Sequence, residues 1–448
     1  MSITSELDPY GPGIRLPGQN DVRVTERFRI VIDSPEVQRL RDVRQLGPIH
    51  LVYPGATHTR FEHAIGALGM MQAALRNVAP KANLSDDDVL TGLAAALLHD
   101  VGHYPFAHSL EAVHRRRPAT ARLPRHEAVA GAIIVGSLGP LLRSALGVDP
   151  ERVARLVTVH HSQHEAPADA LLASLISSGV DIDKLDYLAR DSVHLGVAYG
   201  LGFDSGRLLQ ALQPSDDGRR VVVAARGRVP AELFTFSRYL MFSEVYWHHT
   251  VRAVSAMVEA ALDDVAGRGA LPPDFAERLL TFSDDAFLAW LGQEPGTLAS
   301  ALVGNLRARR LHKRLVTYSR AYAEPEKRDA YERLYLASSD ELAVLHSRAA
   351  AVLAEATGGP LGPVELLIDT PPRDKDQLEP IEIVYGDDVV GKRVYRLDEL
   401  SSVVPGVSKD FVKVVKKIRL FVSPRVHAAL VDVPSHPLQA RLLEALLS

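Results

Sequence analysis

The sequence predicts a mainly α-helical body followed by a small α/β domain. Three observations carry that assignment. Apolar residues recur at helical spacing from residue 34 to about residue 265, a glycine- and proline-rich stretch at 357–363 interrupts the chain, and beyond it the apolar period becomes strand-like. With 448 residues, 46% hydrophobic and 24% charged, the chain can bury a large core and has the composition of an ordinary globular protein. Its net charge of -4 implies no general affinity for polyanions. Cysteine is absent, which excludes disulfides, thiolate metal sites, iron–sulfur clusters and a cysteine nucleophile, and agrees with a reducing compartment. Any metal must therefore bind through nitrogen and oxygen.

The N-terminal segment, residues 1–33, lacks the basic start and apolar stretch of a signal peptide. The longest strongly apolar segment, residues 89–98, is about half of the roughly 20 residues a membrane span requires. A soluble, cytoplasmic protein with no membrane partner is expected. The helical body spans residues 34–265. Within it, residues 86–99 open with aspartates suited to a helix N-terminus and continue as Leu90, Leu93, Ala94, Leu97 and Leu98, an apolar face ending at His99 and Asp100. Another apolar run, residues 171–180, leads into the charged helix 181–191. A β-hairpin is predicted where residues 219–225 alternate into Gly227. Residues 266–361 form a helical extension, with helix expected over 274–356. The α/β domain occupies 362–448, with strands at 364–368, 381–385, 392–397 and 417–422 and a short amphipathic helix at 436–447.

Four residues stand in segments that otherwise read as buried helix: His63, His99, Asp100 and Asp183. Buried charges usually pair, neutralise or bind a metal, and two imidazoles with two carboxylates form a ligand set for one divalent ion. Such a set suits Mn, Fe, Ni, Zn or Mg. On a six-coordinate ion it leaves positions for water and a substrate oxygen, so hydrolysis of a phosphate ester or anhydride follows. Arg60, three residues before His63, shares its helix face and can hold an anion. Asp183, Tyr187 and Asp191 recur at i, i+4 and i+8 with Lys184 beside them; the alternative reading is a solvated helix laced with salt bridges. His103, His108 and His126 suggest proton transfer, and Glu111 lies three residues after His108. His114 adjoins arginines 115–117 and reads as part of a solvated basic turn.

These strings resemble a known family: residues 34–47, the run Tyr-Pro-Gly-Ala-Thr-His-Thr-Arg-Phe-Glu-His at 53–63, the run Leu-His-Asp-Val-Gly-His-Tyr-Pro-Phe-Ala-His at 98–108, and residues 181–191. Together they resemble the HD-domain phosphohydrolases, and within them the deoxynucleoside triphosphate triphosphohydrolases of the sterile-alpha-motif and HD-domain type, strongly over residues 8–260. No sterile-alpha-motif domain is expected ahead of the body. The resemblance implies an HD-domain helical fold and makes His63, His99, Asp100 and Asp183 the ligands of one divalent metal. It turns His103, His108 and His126 towards the α-phosphate, with His108 and Glu111 as general acid. Arg60, Lys184 and Arg238 would neutralise the triphosphate. Gln45 and Asp191 would hold the sugar 3′-hydroxyl, Leu46 would contact the substrate, Tyr187 would line the sugar pocket, and Tyr246 would crowd the 2′ position. The implied reaction is attack of metal-activated water on the α-phosphorus of a deoxynucleoside triphosphate, releasing deoxynucleoside and inorganic triphosphate.

Some members of that family are oligomers switched on by nucleotides. Asp33, Gln38, Arg41 and Arg207 match contacts of their regulatory site, whereas Glu244, His249 and Ala224 stand where basic phosphate contacts are expected. Phe242 stands where the family has an active-site histidine. A homo-oligomer, dimer or tetramer, is implied. Two other functions compete: phosphohydrolysis of a different nucleotide, and a nucleotide sensor or single-stranded nucleic-acid binder using the basic cluster Arg309, Arg310, Lys313 and Arg314.

Overall fold

A computed structural model describes residues 4–10, 13–18, 21–116, 123–371, 379–386 and 393–448; residues 117 and 392, named above, lie outside these. Among the described residues the architecture is mainly helical, with a two-stranded ribbon, Gly13–Ile14 with Val22–Arg23, and two larger sheets. Helix α1, Arg60–Ala82, runs through the centre of the body and buries Ile65, Leu68, Met71 and Leu75 completely. It ends at Asn83, whose left-handed φ of 51° stops the helix. Helix α2, Asp86–Leu98, packs along it, buries Leu93 and Leu97 completely and starts with a capping box, Ser85 with Asp88. Its aspartates favour the positive end of the helix dipole, as the sequence implied.

Helices α3, Ala107–Arg116, and α4, His126–Val135, follow. Helix α5, Ile182–Leu195, also lies against α1; Asp181 caps it by accepting from the Lys184 backbone N–H at 2.8 Å, and Gly196 at φ 69° ends it. Helix α6, Arg228–Met241, passes through the turn Phe242–Tyr246 into α7, His249–Gly267. The last helix, α8, Ser435–Leu447, buries Leu438, Leu442 and Leu446 at i, i+4 and i+8, the amphipathic pattern read from sequence.

The hairpin exists: Leu212–Pro214 pairs antiparallel with Val221–Ala224. The four strands expected in the C-terminal α/β domain divide between two sheets. Glu382–Val384 pairs parallel with Val221–Ala224, placing Ile383 opposite Val223, and Val394–Arg396 adds beyond it, so this four-stranded sheet is partly built from the helical body. Leu366–Asp369 and Ile418–Val422 form the second sheet with Lys313–Tyr318, a strand inside the stretch expected to be helical. Local period could not reveal that partner. Lys313 and Arg314 at its exposed start mask a strand whose Val316 and Tyr318 are buried. Arg252 of α7 pairs with Asp369 at 2.5 and 3.1 Å, and Arg419 Nη2 donates to the Trp247 carbonyl at 2.7 Å, tying the second sheet to the body. Among the described residues no single helix is long and apolar enough to cross a membrane.

Candidate metal and nucleotide site

The packing of α1 against both α2 and α5 brings three separate segments to one point. Arg60 and His63 lie in the first turn of α1, His99 and Asp100 at the end of α2, and Asp183 in the first turn of α5. His63 Nε2 lies 3.3 Å from His99 Nε2 and 3.1 Å from Asp183 Oδ1. His99 Nε2 lies 3.8 Å from Asp183 Oδ1 and 3.5 Å from Asp100 Oδ1, and Asp100 Oδ2 is 3.8 Å from His63 Nε2.

The hydrogen bonds on the far side of each ring determine what these atoms can do. His63 Nδ1 meets Asp186 Oδ2 at 2.7 Å and His99 Nδ1 meets the Ala96 carbonyl at 2.8 Å. A carbonyl only accepts, and an ionised carboxylate does likewise, so both Nδ1 atoms carry the hydrogen and both Nε2 lone pairs face the same point as the carboxylates. Converging acceptors at 3–4 Å call for a cation, and this donor set fits a divalent metal on nitrogen and oxygen. Without one, a proton takes its place. Burial opposes charge on His63, but Asp183 and Asp186 outweigh it and push its pKa up to about 10. Burial likewise opposes ionisation of Asp183, yet His63 and His99 hold its carboxyl far below the usual range.

Behind His63 lies a buried network that sequence reasoning missed. Asp186 accepts from His63 and also from Arg190 Nε and Nη2 at 2.9 and 2.6 Å. Arg190 Nη1 donates to Glu62 at 2.8 Å, and Glu62 meets His194 Nε2 at 2.7 Å. A Cβ on Gly66 would fall 2.0 Å from Arg190 Nη2 and 2.0 Å from Asp186 Oδ1, so the ion pair occupies the space that Gly66 leaves. The legible signal was the spacing: Asp186 three residues after Asp183, and Arg190 four after Asp186, on the inward face of one helix.

A histidine arm extends from Asp100. Buried His103 has Nδ1 3.2 Å from Asp100 Oδ1, and its ring centroid lies 3.8 Å from that of His126. Burial, then Arg60, holds His103 well below the ordinary imidazole range. His126 Nδ1 meets Glu111 Oε1 at 2.9 Å, whereas the exposed His108 has Nδ1 3.7 Å from Glu111 Oε2. Glu111 thus serves His126 more closely than the His108 expected from spacing. The turn into α3 passes through Phe106 at φ 54°. His114 accepts from the Leu123 backbone N–H at 3.4 Å.

The other expected contacts separate by what already holds them. Arg60 is buried and donates to Asp100 Oδ2 at 2.5 Å, and the Lys184 ammonium bonds to Asp181. Burial opposes the Lys184 charge, but Asp181 raises its pKa. Among the described residues Arg238 has no salt bridge and its buried Nε has no hydrogen-bond partner; the Phe242 ring lies 5.8 Å from its guanidinium carbon. Asp191 is buried, accepting from Tyr246 Oη at 2.5 Å and bonded to His58 Nε2 at 2.7 Å. The Tyr187 ring meets that of Tyr246 edge-on at 6.4 Å. Burial pushes the Tyr187 phenol up to about 12, and burial with Asp191 keeps the Tyr246 phenol protonated. Leu46 packs on the core, and Gln45 Oε1 is buried without a partner among the described residues.

The four residues of the implied regulatory set lie elsewhere. Asp33 and Arg207 are exposed, Gln38 donates to the Ile32 carbonyl at 2.9 Å, and Arg41 bonds Gln38 and lies 3.6 Å over the Phe61 ring. In the basic cluster all four residues are exposed, with Arg309 donating to the Leu51 carbonyl and Arg310 to Asn305.

Residues 60–191 match the HD domain and residues 203–420 the HD associated region. The chain is an HD-domain protein, its HD domain followed by the HD associated region. It is a distant homologue of the deoxynucleoside triphosphate triphosphohydrolase SAMHD1 of Homo sapiens, 27% identical over 259 residues that cover 52% of this chain and 41% of that protein. An uncharacterized protein, YwfO of Bacillus subtilis, is 34% identical over 235 residues, covering 52% of this chain and 50% of YwfO. This chain thus spans about half the length of the curated relatives it matches. A crystal structure of a phosphohydrolase from Bacteroides thetaiotaomicron shares the fold with a TM-score of 0.68 at 25% identity, over 92% of this chain and all of that one.

Proposed function

We propose that this protein hydrolyses deoxynucleoside triphosphates to deoxynucleoside and inorganic triphosphate, using one divalent metal ion held by His63, His99, Asp100 and Asp183. The observation that carries this reading is that one helix, α5, offers Asp183 to the converging donors and, about 12 Å further along its axis, the hydroxyl-accepting Asp191. When bound, the ion supplies Lewis-acid polarisation and lowers the pKa of water. The chain does the rest. Arg238, without a carboxylate partner among the described residues, supplies counter-charge for a phosphate chain, with Lys184 near it. His103, kept neutral by burial and by Arg60, lines the α-phosphate side of the site without adding charge. Glu111 orients His126 for proton donation to the leaving oxygen, with His108 at the open edge. Asp191 accepts the sugar 3′-hydroxyl and Tyr246 occupies the space a 2′-hydroxyl requires.

The test is product analysis. Purified protein with Mn²⁺ is given each deoxynucleoside and ribonucleoside triphosphate separately, and the phosphate product is identified. Inorganic triphosphate from deoxynucleotides supports the reading; pyrophosphate, orthophosphate or no turnover overturns it. The reading includes a cytoplasmic homo-oligomer whose second nucleotide site uses Asp33, Gln38, Arg41 and Arg207. Turnover of one deoxynucleotide that is indifferent to a second nucleotide removes that site from it.

A further inference from the structure

We propose that His58 is a positioning residue for the sugar end of the site: it fixes the Asp191 carboxylate and, through it, the Tyr246 hydroxyl. The proposal rests on the reading of Asp191 and Tyr246 as sugar contacts. His58 precedes α1, and its side chain is fully buried. Nε2 lies 2.7 Å from Asp191 Oδ1, while Nδ1 is buried with no hydrogen-bond partner among the described residues.

That asymmetry selects a tautomer. Hydrogen on Nδ1 would leave a buried donor unmet and turn the Nε2 lone pair against a carboxylate oxygen. Hydrogen on Nε2 leaves only a bare acceptor and supplies Asp191 with a donor. Asp191 then receives His58 on Oδ1 and Tyr246 on Oδ2. Each oxygen keeps a further lone pair, so the next group it binds must be a donor, such as a sugar hydroxyl.

The ring is held in place from behind. His58 stacks on His194 with centroids 4.3 Å apart and planes 13° from parallel. His194 is fixed by Glu62, and Glu62 by Arg190, which also holds Asp186 against His63. The loop bearing His58 can reach this position because residue 55 is glycine: a Cβ there would lie 2.1 Å from the His194 carbonyl oxygen. One buried series of contacts therefore runs from a metal ligand to the pair that reads the sugar. Misplacing His58 should alter sugar recognition before it alters the metal.

The experiment compares wild type, His58→Phe, which keeps a ring to stack on His194 but no donor, and His58→Gln, whose amide nitrogen can take the place of Nε2. Kinetics on matched deoxy- and ribonucleotides and metal content are measured for each, with ¹⁵N-histidine spectra to report the tautomer. We expect His58→Phe to raise KM for the deoxynucleotide about tenfold or more, to narrow its preference over the ribonucleotide, and to keep wild-type metal content. His58→Gln should recover most of both. A His58→Phe protein with wild-type KM and preference overturns the proposal, as does loss of metal in step with activity or failure of His58→Gln to recover. If wild type turns over no deoxynucleotide, the proposed function fails and His58 is judged by its spectrum alone. An Nε2–H signal that shifts in Asp191→Asn sustains the positioning role; a protonated or Nδ1–H ring refutes it. Should His58→Phe not fold, His58→Gln and the spectra decide on the same terms.

Discussion

The donor cluster and the histidine arm are built from the same residue type a few ångströms apart, yet they are prepared for different work. In the cluster, each ring commits Nδ1 to an acceptor behind it, Asp186 for His63 and the Ala96 carbonyl for His99, so both Nε2 lone pairs face forward. In the arm, His126 and His108 share Glu111 and grade from part-buried to exposed, so their rings can exchange protons with solvent. With an acceptor behind Nδ1 in both regions, what separates them is whether the ring is buried among other ligands or open to solvent. The first region is a rigid set of acceptors and the second a series of donors.

The contrast can be broken experimentally, beginning with the largest effect. His99→Ala removes a converging lone pair; metal content by mass spectrometry should fall to background, and turnover should drop by about 1,000-fold or more. Gly66→Ala drives a methyl into the Asp186–Arg190 pair and should cost roughly 3 kcal/mol in urea unfolding, with weakened metal binding, while the arm stays intact. Glu111→Gln should lower kcat about 100-fold with metal retained.

The same variant has a pH signature. Burial opposes ionisation of Glu111, but His108 and His126 outweigh it and hold its carboxyl far below the ordinary range. A depressed folded pKa gives stability that is present above the unfolded value, about 4.3, and is lost as pH falls from there towards the folded value. Glu111→Gln should therefore be less stable than wild type at pH 6, and the gap should begin to narrow only as pH is taken below about 4, read from urea midpoints. The smallest effect is expected from Arg238→Ala, which should raise KM about tenfold and change neither metal content nor stability appreciably.

Much of this was legible in sequence where local chemistry marked it. The aspartates at 86–88 announced the start of α2, and polar residues set in segments that read as buried helix announced His63, His99, Asp100 and Asp183. Long-range partners were hidden. Asp186 and Arg190 looked like the solvated face of a charged helix, because a buried ion pair and an exposed one have the same spacing; only the packing of α1 distinguishes them. His58 and His194 are far apart in the chain, and nothing in either segment signals a stack. The strand Lys313–Tyr318 was concealed by its basic start, and the division of the C-terminal strands between two sheets is a matter of pairing, which no single strand specifies.

The parallel pairing of Val223 with Ile383 also has a consequence for biogenesis. At ordinary elongation rates the ribosome adds the segment between them over a time on the order of ten seconds. Until then the 221–224 hairpin presents an unpaired edge, although the helices carrying His63, His99 and Asp183 have already been synthesised. The nascent chain thus passes through an interval in which its chemistry is assembled but one seam of its sheet is open to chaperones or to a neighbouring copy.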